Sequence, residues 1–243
     1  MAVNRWLSTL KGGLVVSCQA PKGSPLDRPD ILAEIARSCA LGGACAVRAD
    51  GPDNIRAIRA STNLPVLGIY KVWHDSGRPV ITPDSRHELE LIMAGAQLVA
   101  MEATEQFGPP AAELEQRIRR LHERFGVEVV ADVSTFEEGL RAWQAGADAV
   151  ATTLSGYSPY SRQSSDPDIE LVRRLAAAGI RVIAKGRIRK PEQAAEALRA
   201  GAWAVVVGDA ITNPLAITSW FVHAIRREVD LDDVGLGDRW GAD

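Results

Sequence analysis

The stretch AGADAVAT, residues 145–152, sets a Gly-Ala pair in front of a short run of β-forming residues. The pattern recurs as GGACAVRA at 42–49, AGAQLVAM at 94–101 and AGAWAVVV at 200–207. The glycines of the Gly-Ala pairs are Gly43, Gly95, Gly146 and Gly201, so the intervals are 52, 51 and 55 residues. Four other apolar runs fall between the copies: GLVVS (13–17), PVLGIYK (65–71), VEVVAD (127–132) and RVIAKG (181–186). All eight runs are short and apolar on both faces, the pattern of parallel strands covered by helices.

Amphipathic segments separate them. DILAEIARSCAL (30–41) follows the first run, AAELEQRIRRLHERF (111–125) the fourth and TFEEGLRAWQA (135–145) the fifth. PDIELVRRLAAAG (167–179) follows the sixth and PEQAAEALRAG (191–201) the seventh. Glycine after the last helical turn, as in AAAG and LRAG, reads as a helix stop. Eight strand–helix units with a two-unit period predict a (β/α)8 TIM barrel. The barrel is expected to span residues 1–227 as a single domain, with an acidic tail at 228–243 that is either flexible or laid across a neighbouring subunit. A doubly wound open sheet is the rival architecture, but no GxGxxG follows any run and a count of eight favours closure.

Bulk properties agree. The chain of 243 residues, 46% hydrophobic and 24% charged, matches the roughly 200–250 residues of one α/β barrel. A net charge of −3 argues against nucleic acid or an anionic membrane as partner. Cys18, Cys39 and Cys45 lack metal-ligand spacing, so reduced thiols in a cytoplasmic protein are expected. The opening MAVNRWLSTLKGG has no long apolar run, and no segment approaches the ~18 apolar residues of a membrane helix.

In a barrel the active site gathers at the C-terminal ends of the strands. The first run ends in Ser17-Cys18-Gln19, the second gives Arg48, the third Lys71, the fourth Glu102 and the fifth Asp132. The sixth leads into Thr152-Thr153 and LSGY, the seventh gives Lys185-Gly186-Arg187, and the eighth gives Gly208-Asp209. Two lysines, an arginine, carboxylates and a glutamine at one mouth suit an anionic or polyhydroxylated small molecule. Three long loops, QAPKGSPLDRPD (19–30), VWHDSGRPVITPD (72–84) and SGYSPYSRQSSD (155–166), are expected to form lids and sugar-binding walls. His74 reads as a solvated loop residue, and His87, His122 and His223 as outer-surface groups on helices. Cys18 reads as a packing residue, and Trp143, Trp203 and Trp220 as helix–strand packing.

These residues carry a resemblance. LVVSCQA, RADG, PVLGIYK, ITP, ADVSTFEEG, ATTLSGYSPYS, VIAKGRI and VVVGDAIT resemble, in order, the signatures of the N-acetylmannosamine-6-phosphate 2-epimerases. The resemblance runs from about residue 11 to 225, and SCQA and TTLSGYSPYS are its specific parts. It implies the (β/α)8 fold, the interconversion of N-acetylmannosamine 6-phosphate and N-acetylglucosamine 6-phosphate in sialic acid catabolism, and no metal or organic cofactor. Such barrels are often homodimers, which is analogy alone. Epimerisation at C2 needs a base for the proton α to the open-chain carbonyl, and groups to hold the resulting oxyanion.

The resemblance assigns proton transfer to Lys71, whose amine then needs a lowered pKa. It has Asp132 orient that lysine or bind sugar hydroxyls, and Gln19 and Arg48 touch the substrate. Thr153, Ser155, Tyr157 and Arg187 belong to the matching loop signatures, and the phosphate is expected at the backbone of Gly186 and Gly208.

The chain departs from the family pattern inside this site. Where Ala-Glu-Gly-Arg is usual and the glutamate is the second catalytic residue, this chain has Ala184-Lys185-Gly186-Arg187. Glu102 replaces an aspartate, Asn213 an arginine linked to the phosphate, and Asp209 a small residue. Three readings follow. In the first, epimerisation persists, with Lys71 carrying the proton, Lys185 at the oxyanion and Glu102 supplying the lost carboxylate. In the second, the substrate is a less phosphorylated amino sugar. In the third, two lysines in a dry pocket serve Schiff-base lyase or aldolase chemistry. A non-catalytic sugar-phosphate binder stands behind all three.

Overall fold

The computed structural model describes residues 6–73 and 77–229. Eight parallel strands close into a barrel: β1 (Leu14–Cys18), β2 (Ala46–Asp50), β3 (Val66–Ile69), β6 (Leu98–Glu102), β7 (Glu128–Asp132), β8 (Ala149–Ala151), β9 (Val182–Lys185) and β10 (Ala204–Val207). Two further strands, β4 (Lys71–Trp73) and β5 (Pro79–Ile81), form an antiparallel hairpin outside the ring. Around the barrel the order is β1-β10-β9-β8-β7-β6-β3-β2, closed by the pairs Val15–Val206 and Val15–Ala46. The ring is a sealed cylinder, so the open-sheet alternative is excluded.

The repeat is a helix-to-strand turn. Helices α1 (Pro29–Leu41), α2 (Pro52–Ser61), α3 (Ser85–Met93), α4 (Ala111–Arg120), α5 (Phe136–Gln144), α6 (Ile169–Ala177) and α7 (Pro191–Arg199) pack outside the ring, followed by α8 (Asp209–Thr212) and α9 (Pro214–Val229). After α1, α3, α5 and α7 the chain reverses at Gly43, Gly95, Gly146 and Gly201, with φ of 93, 101, 97 and 102°. A side chain there meets its own carbonyl, so only glycine turns the chain cheaply into the next strand. The 52-residue spacing therefore records one turn type used at every second helix.

Strand alternation sorts each run into an inner and an outer row. Inward go Val15, Ala46, Leu67, Leu98, Val130, Ala149, Ile183 and Ala204, and above them Ile69, Ala100, Ala151 and Val206, as one buried cluster. Outward go Val16, Val47, Val66, Val99, Val129, Val150, Val182 and Val205, packed under the helices. A 3-10 turn, Leu7–Leu10, plugs the bottom with Leu7 and Leu10. The Glu128 carboxylate accepts from the amides of Trp6 and Leu7 at 2.9 Å each, and Trp203 Nε1 donates to the Leu7 carbonyl at 2.9 Å.

One step further along each strand, the inward positions become Ser17, Arg48, Lys71, Glu102, Asp132, Thr153, Lys185 and Gly208. The period of two that fills the barrel with aliphatic groups thus also delivers the polar residues of its mouth.

The sequence reading needs one correction here. PVLGIYK is not a single strand: β3 stops at Ile69, and Lys71 opens the hairpin. At that point the Lys71 amide donates to Asp50 Oδ1 (2.9 Å), and the hairpin pairs Lys71 with Ile81. Its return is pinned by Thr82, at φ 50°, whose hydroxyl donates to the Ala100 carbonyl at 2.7 Å. The loop expected to be a wall thus carries the hairpin strands at 72–73 and 79–81. His74 and the tail beyond Val229 lie outside the described residues.

Candidate active site

A cavity of about 370 Å³ opens at the C-terminal ends of the strands, the size of a small-molecule site. Among its walls are Gln19, Arg48, Lys71, Thr153, Tyr157, Lys185, Gly186, Arg187, Gly208 and Asn213. Three residues of the expected site stand back from it. Asp132 and Glu102 lie behind other side chains. Ser155 turns its hydroxyl to Asp168 Oδ2 at 2.7 Å, where Asp168 also caps α6.

Asp132 holds Arg48. The two oxygens accept from Arg48 Nη1 and Nη2 at 3.1 and 2.6 Å, and both side chains are fully buried. The Thr153 hydroxyl donates to the same carboxylate. This fork fixes the guanidinium plane at the cavity wall, a bidentate geometry that a lysine cannot reproduce. Asp132 therefore acts on Arg48 rather than on Lys71.

Glu102 is committed in the same way. Its oxygens take Arg78 Nη2 at 2.7 Å and Nη1 at 3.2 Å, the Thr104 hydroxyl at 2.5 Å and the Ile81 amide at 3.3 Å. It anchors the hairpin, and its carboxylate is spent there. Arg78 itself lines the cavity. Its signal in the sequence was absent, because its partner lies 24 residues away, at the end of the neighbouring strand β6.

Lys71 and Lys185 both line the cavity, and neither forms a salt bridge among the described residues. Burial lowers the Lys185 amine to about 7, helped by the positive charges of Arg48 and Lys71 and opposed by Asp132 and Asp209. Close to neutrality the amine is thus divided between free base and cation. Asp50, which receives the Lys71 amide, has its carboxyl raised by burial.

The loop after β8 is tied by side chains. Ser158 Oγ donates to Ser134 Oγ at 2.7 Å, and Ser161 Oγ accepts from the Gly156 amide at 2.8 Å. Arg187, at φ 57°, reaches over this loop and donates to the carbonyls of Ser155 (2.6 Å) and Asp166 (3.0 Å). Beside it, Asp209 Oδ1 accepts from Asn213 Nδ2 at 2.9 Å. The two departures from the family pattern that follow β10 are therefore bonded to one another.

Trp220 corrects its reading as packing: it lines the cavity, with the Arg189 guanidinium 4.8 Å from its ring centre. Trp143 and Trp203 do pack against the buried clusters. His87, His122 and His223 line no part of the cavity. Cys18 points outward, and burial raises its thiol to about 12, which suits a packing role.

The charge at the mouth opposes that of the chain. Arg48, Lys71, Arg78, Lys185, Arg187 and Arg189 line the cavity against the single carboxylate of Asp209. Even with Asp132 and Glu102 neutralising two of them from behind, the wall is positive in a chain of net charge −3. Such a site concentrates an anion. Among the described residues no three His, Cys, Asp or Glu side chains cluster to hold a metal, and no helix is long and apolar enough to cross a membrane.

Comparison with known proteins agrees with this geometry. The family model described as "Putative N-acetylmannosamine-6-phosphate epimerase" matches residues 32–227. A relative of similar name, with "2-epimerase" in place of "epimerase", from Caldanaerobacter subterraneus subsp. tengcongensis is 43% identical over 90% of this chain and 94% of its own length. One from Cutibacterium acnes is 42% identical, over 92% and 98%. The solved N-acetylmannosamine-6-phosphate 2-epimerase of Clostridium perfringens superposes with a TM-score of 0.84 at 38% identity, covering 91% of this chain and 96% of that one. The chain belongs to the N-acetylmannosamine-6-phosphate epimerase family.

Proposed function

We propose that this protein interconverts N-acetylmannosamine 6-phosphate and N-acetylglucosamine 6-phosphate by removing and returning the proton at C2. The observation that carries the reading is Lys71, set in the wall of a cationic cavity at the C-terminal mouth of a barrel of this family. The open-chain sugar presents an aldehyde at C1, which acidifies the C2 proton. Lys71 takes that proton as the base, and negative charge develops on O1. Arg48, held rigid by Asp132, is the permanent cation for that charge. Preorganised charge of this kind contributes most where water is excluded.

Gln19, Thr153 and Tyr157 supply polar groups for the sugar hydroxyls. The phosphate is assigned to the backbone at Gly186, Arg187 and Gly208, with Asn213 beside it. Chemistry of this kind uses side chains alone. A sugar phosphate is retained by its charge in the cytoplasm, where the reaction fits the catabolism of sialic acid. The test is incubation of the protein with N-acetylmannosamine 6-phosphate in D2O: deuterium is expected at C2 of both epimers. No exchange at high enzyme concentration ends the proposal.

One observation favours a second reading. Asp209 brings a carboxylate to the cavity beside the assigned phosphate position, and like charge there opposes a phosphate monoester. A less phosphorylated amino sugar avoids that cost. Competition between N-acetylmannosamine and its 6-phosphate decides: strong preference for the phosphate rejects this reading.

A further inference from the structure

A base that takes the proton at C2 of a 2-acylamino sugar stands beside the acyl group, because the nitrogen that carries that group is bonded to the same carbon. The surroundings of Lys71 therefore decide which acyl groups the site admits.

Lys71 opens the hairpin of β4 and β5, whose register pairs Lys71 with Ile81, Val72 with Val80 and Trp73 with Pro79. Residues directly opposite one another across a hairpin share a face, and so do alternate residues along each strand. Lys71, Trp73, Pro79 and Ile81 thus lie on one face, and all four line the cavity. Val72 and Val80, on the other face, do not. The hairpin therefore sets an apolar strip immediately beside the base. Ile69 at the end of β3 and Leu154 in the loop after β8 extend that strip, since both line the cavity and belong with Ile81 to the buried cluster that fills the barrel.

The assigned phosphate position lies on the other side of the mouth. Gly186 and Arg187 follow β9, and β9 stands opposite β3 in the closed order. A sugar with its phosphate at that wall and its C2 at Lys71 lays its acyl group against the hairpin. Trp73 is the largest side chain of the strip, and 49% of its surface is exposed, so an indole face is open to a ligand. Resting on the epimerase reading above, we propose that the cavity face of the hairpin is the acyl subsite and that Trp73 is its specificity-determining residue, packing on the acyl methyl. Aromatic and aliphatic walls with few polar groups are how small-molecule sites hold such a substituent. Trp73 touches no reacting atom in this arrangement. It selects the substituent, while Lys71 acts on the carbon that bears it.

The experiment compares two substrates that differ by the methyl alone, N-acetylmannosamine 6-phosphate and N-formylmannosamine 6-phosphate. Affinity is measured by titration calorimetry and inversion at C2 by NMR, for wild type, Trp73→Ala and Trp73→Phe. Wild type is expected to favour the acetyl sugar by about tenfold, the range of one methyl in an apolar pocket. A wild-type preference in affinity below about threefold overturns the assignment. Trp73→Ala is expected to lower the acetyl-to-formyl affinity ratio by at least about threefold, and a smaller fall overturns it. A merely structural role for Trp73 would weaken both sugars alike and leave the ratio where it was. Trp73→Phe keeps an aromatic face and is expected to hold the ratio nearer to wild type than Trp73→Ala does; the reverse order also overturns the assignment. Should Trp73→Ala not fold, Trp73→Leu takes its place in the comparison. If wild type binds the two sugars with the expected preference yet inverts neither, the epimerase reading fails and the acyl subsite does not, which is a distinct result.

Discussion

The guanidinium of Arg48 and the carboxylate of Asp132 form a fully buried, two-pronged pair across the barrel, with contacts of 3.1 and 2.6 Å. Neither partner tolerates loss of the other. Asp132→Asn leaves a guanidinium buried without its counter-charge, which costs about 3–5 kcal/mol. A loss of Tm on the order of 10 °C follows for a chain of this size. Because Asp132 acts through Arg48, kcat is expected to fall with little change in KM for substrate. Calorimetry and steady-state rates check both.

Arg78 and Glu102 make a second clamp, from the hairpin to β6. Glu102 is buried and Arg78 largely so. Arg78→Ala strands a buried carboxylate that retains the Thr104 hydroxyl and the Ile81 amide. A cost of about 2–4 kcal/mol is expected, somewhat below that of a completely enclosed pair. Hydrogen exchange will localise it: protection should fall at residues 79–81 and hold at β6. Unchanged protection in the hairpin would contradict the clamp.

Gly156 is fixed by its neighbour. It sits at φ 83°, and a Cβ there would come 2.1 Å from Arg187 Nη1. Gly156→Ala displaces the guanidinium from the Ser155 carbonyl and adds backbone strain, together about 1–3 kcal/mol. Limited proteolysis within 156–166 should accelerate, and KM should rise, since Tyr157 and Arg187 both line the cavity.

The stability of the protein should depend on pH through Lys185. Its folded amine lies at about 7 against an ordinary 10.5. Between those values the unfolded chain holds a proton that the folded chain has released, so stability rises as pH increases through this window. Below about 7 both states are protonated and the folded state bears the whole penalty. Lys185→Met removes it. The variant is expected to melt higher than wild type at pH 6 and to lose the rise between pH 7 and 10. A flat wild-type profile would remove Lys185 from this role.

Asp209 is the carboxylate most opposed to a phosphate. Asp209→Asn keeps a partner for Asn213 and deletes the charge. Affinity for the sugar phosphate is expected to tighten roughly tenfold, equivalent to ~1.4 kcal/mol, while affinity for the unphosphorylated sugar stays level. Titration calorimetry with both ligands measures the difference.

Much of this site is legible in the sequence, because two periods overlap. Every second residue of a barrel strand faces inward, so naming the strands places Arg48, Glu102, Asp132 and Lys185 on the same inner row. The Gly-Ala repeat was legible because one left-handed turn serves four helix ends. The hairpin was not. Lys71 reads as the end of the third strand and residues 72–84 as loop, since the hairpin's strands are three residues each and its hold on the barrel is the Arg78–Glu102 contact. The direction of Asp132 was hidden too. Its choice of Arg48 over Lys71 depends on side-chain reach across three strands, which spacing along the chain does not encode. Trp220 was misread because nothing in a helical pattern says that α9 crosses the mouth.

The plug at the barrel bottom has a consequence for the newborn chain. Leu7 is secured by Glu128 and by Trp203, residues 121 and 196 positions further on. During synthesis the first turn can find its second anchor only after the last barrel strand leaves the ribosome. Until then the aliphatic floor of Leu7 and Leu10 stays uncovered, and the half-made barrel offers an open seam between β1 and the absent β10. The turn at Leu7–Leu10 is thus among the last parts of the barrel to settle, and the interval is when chaperone capture or aggregation competes with closure.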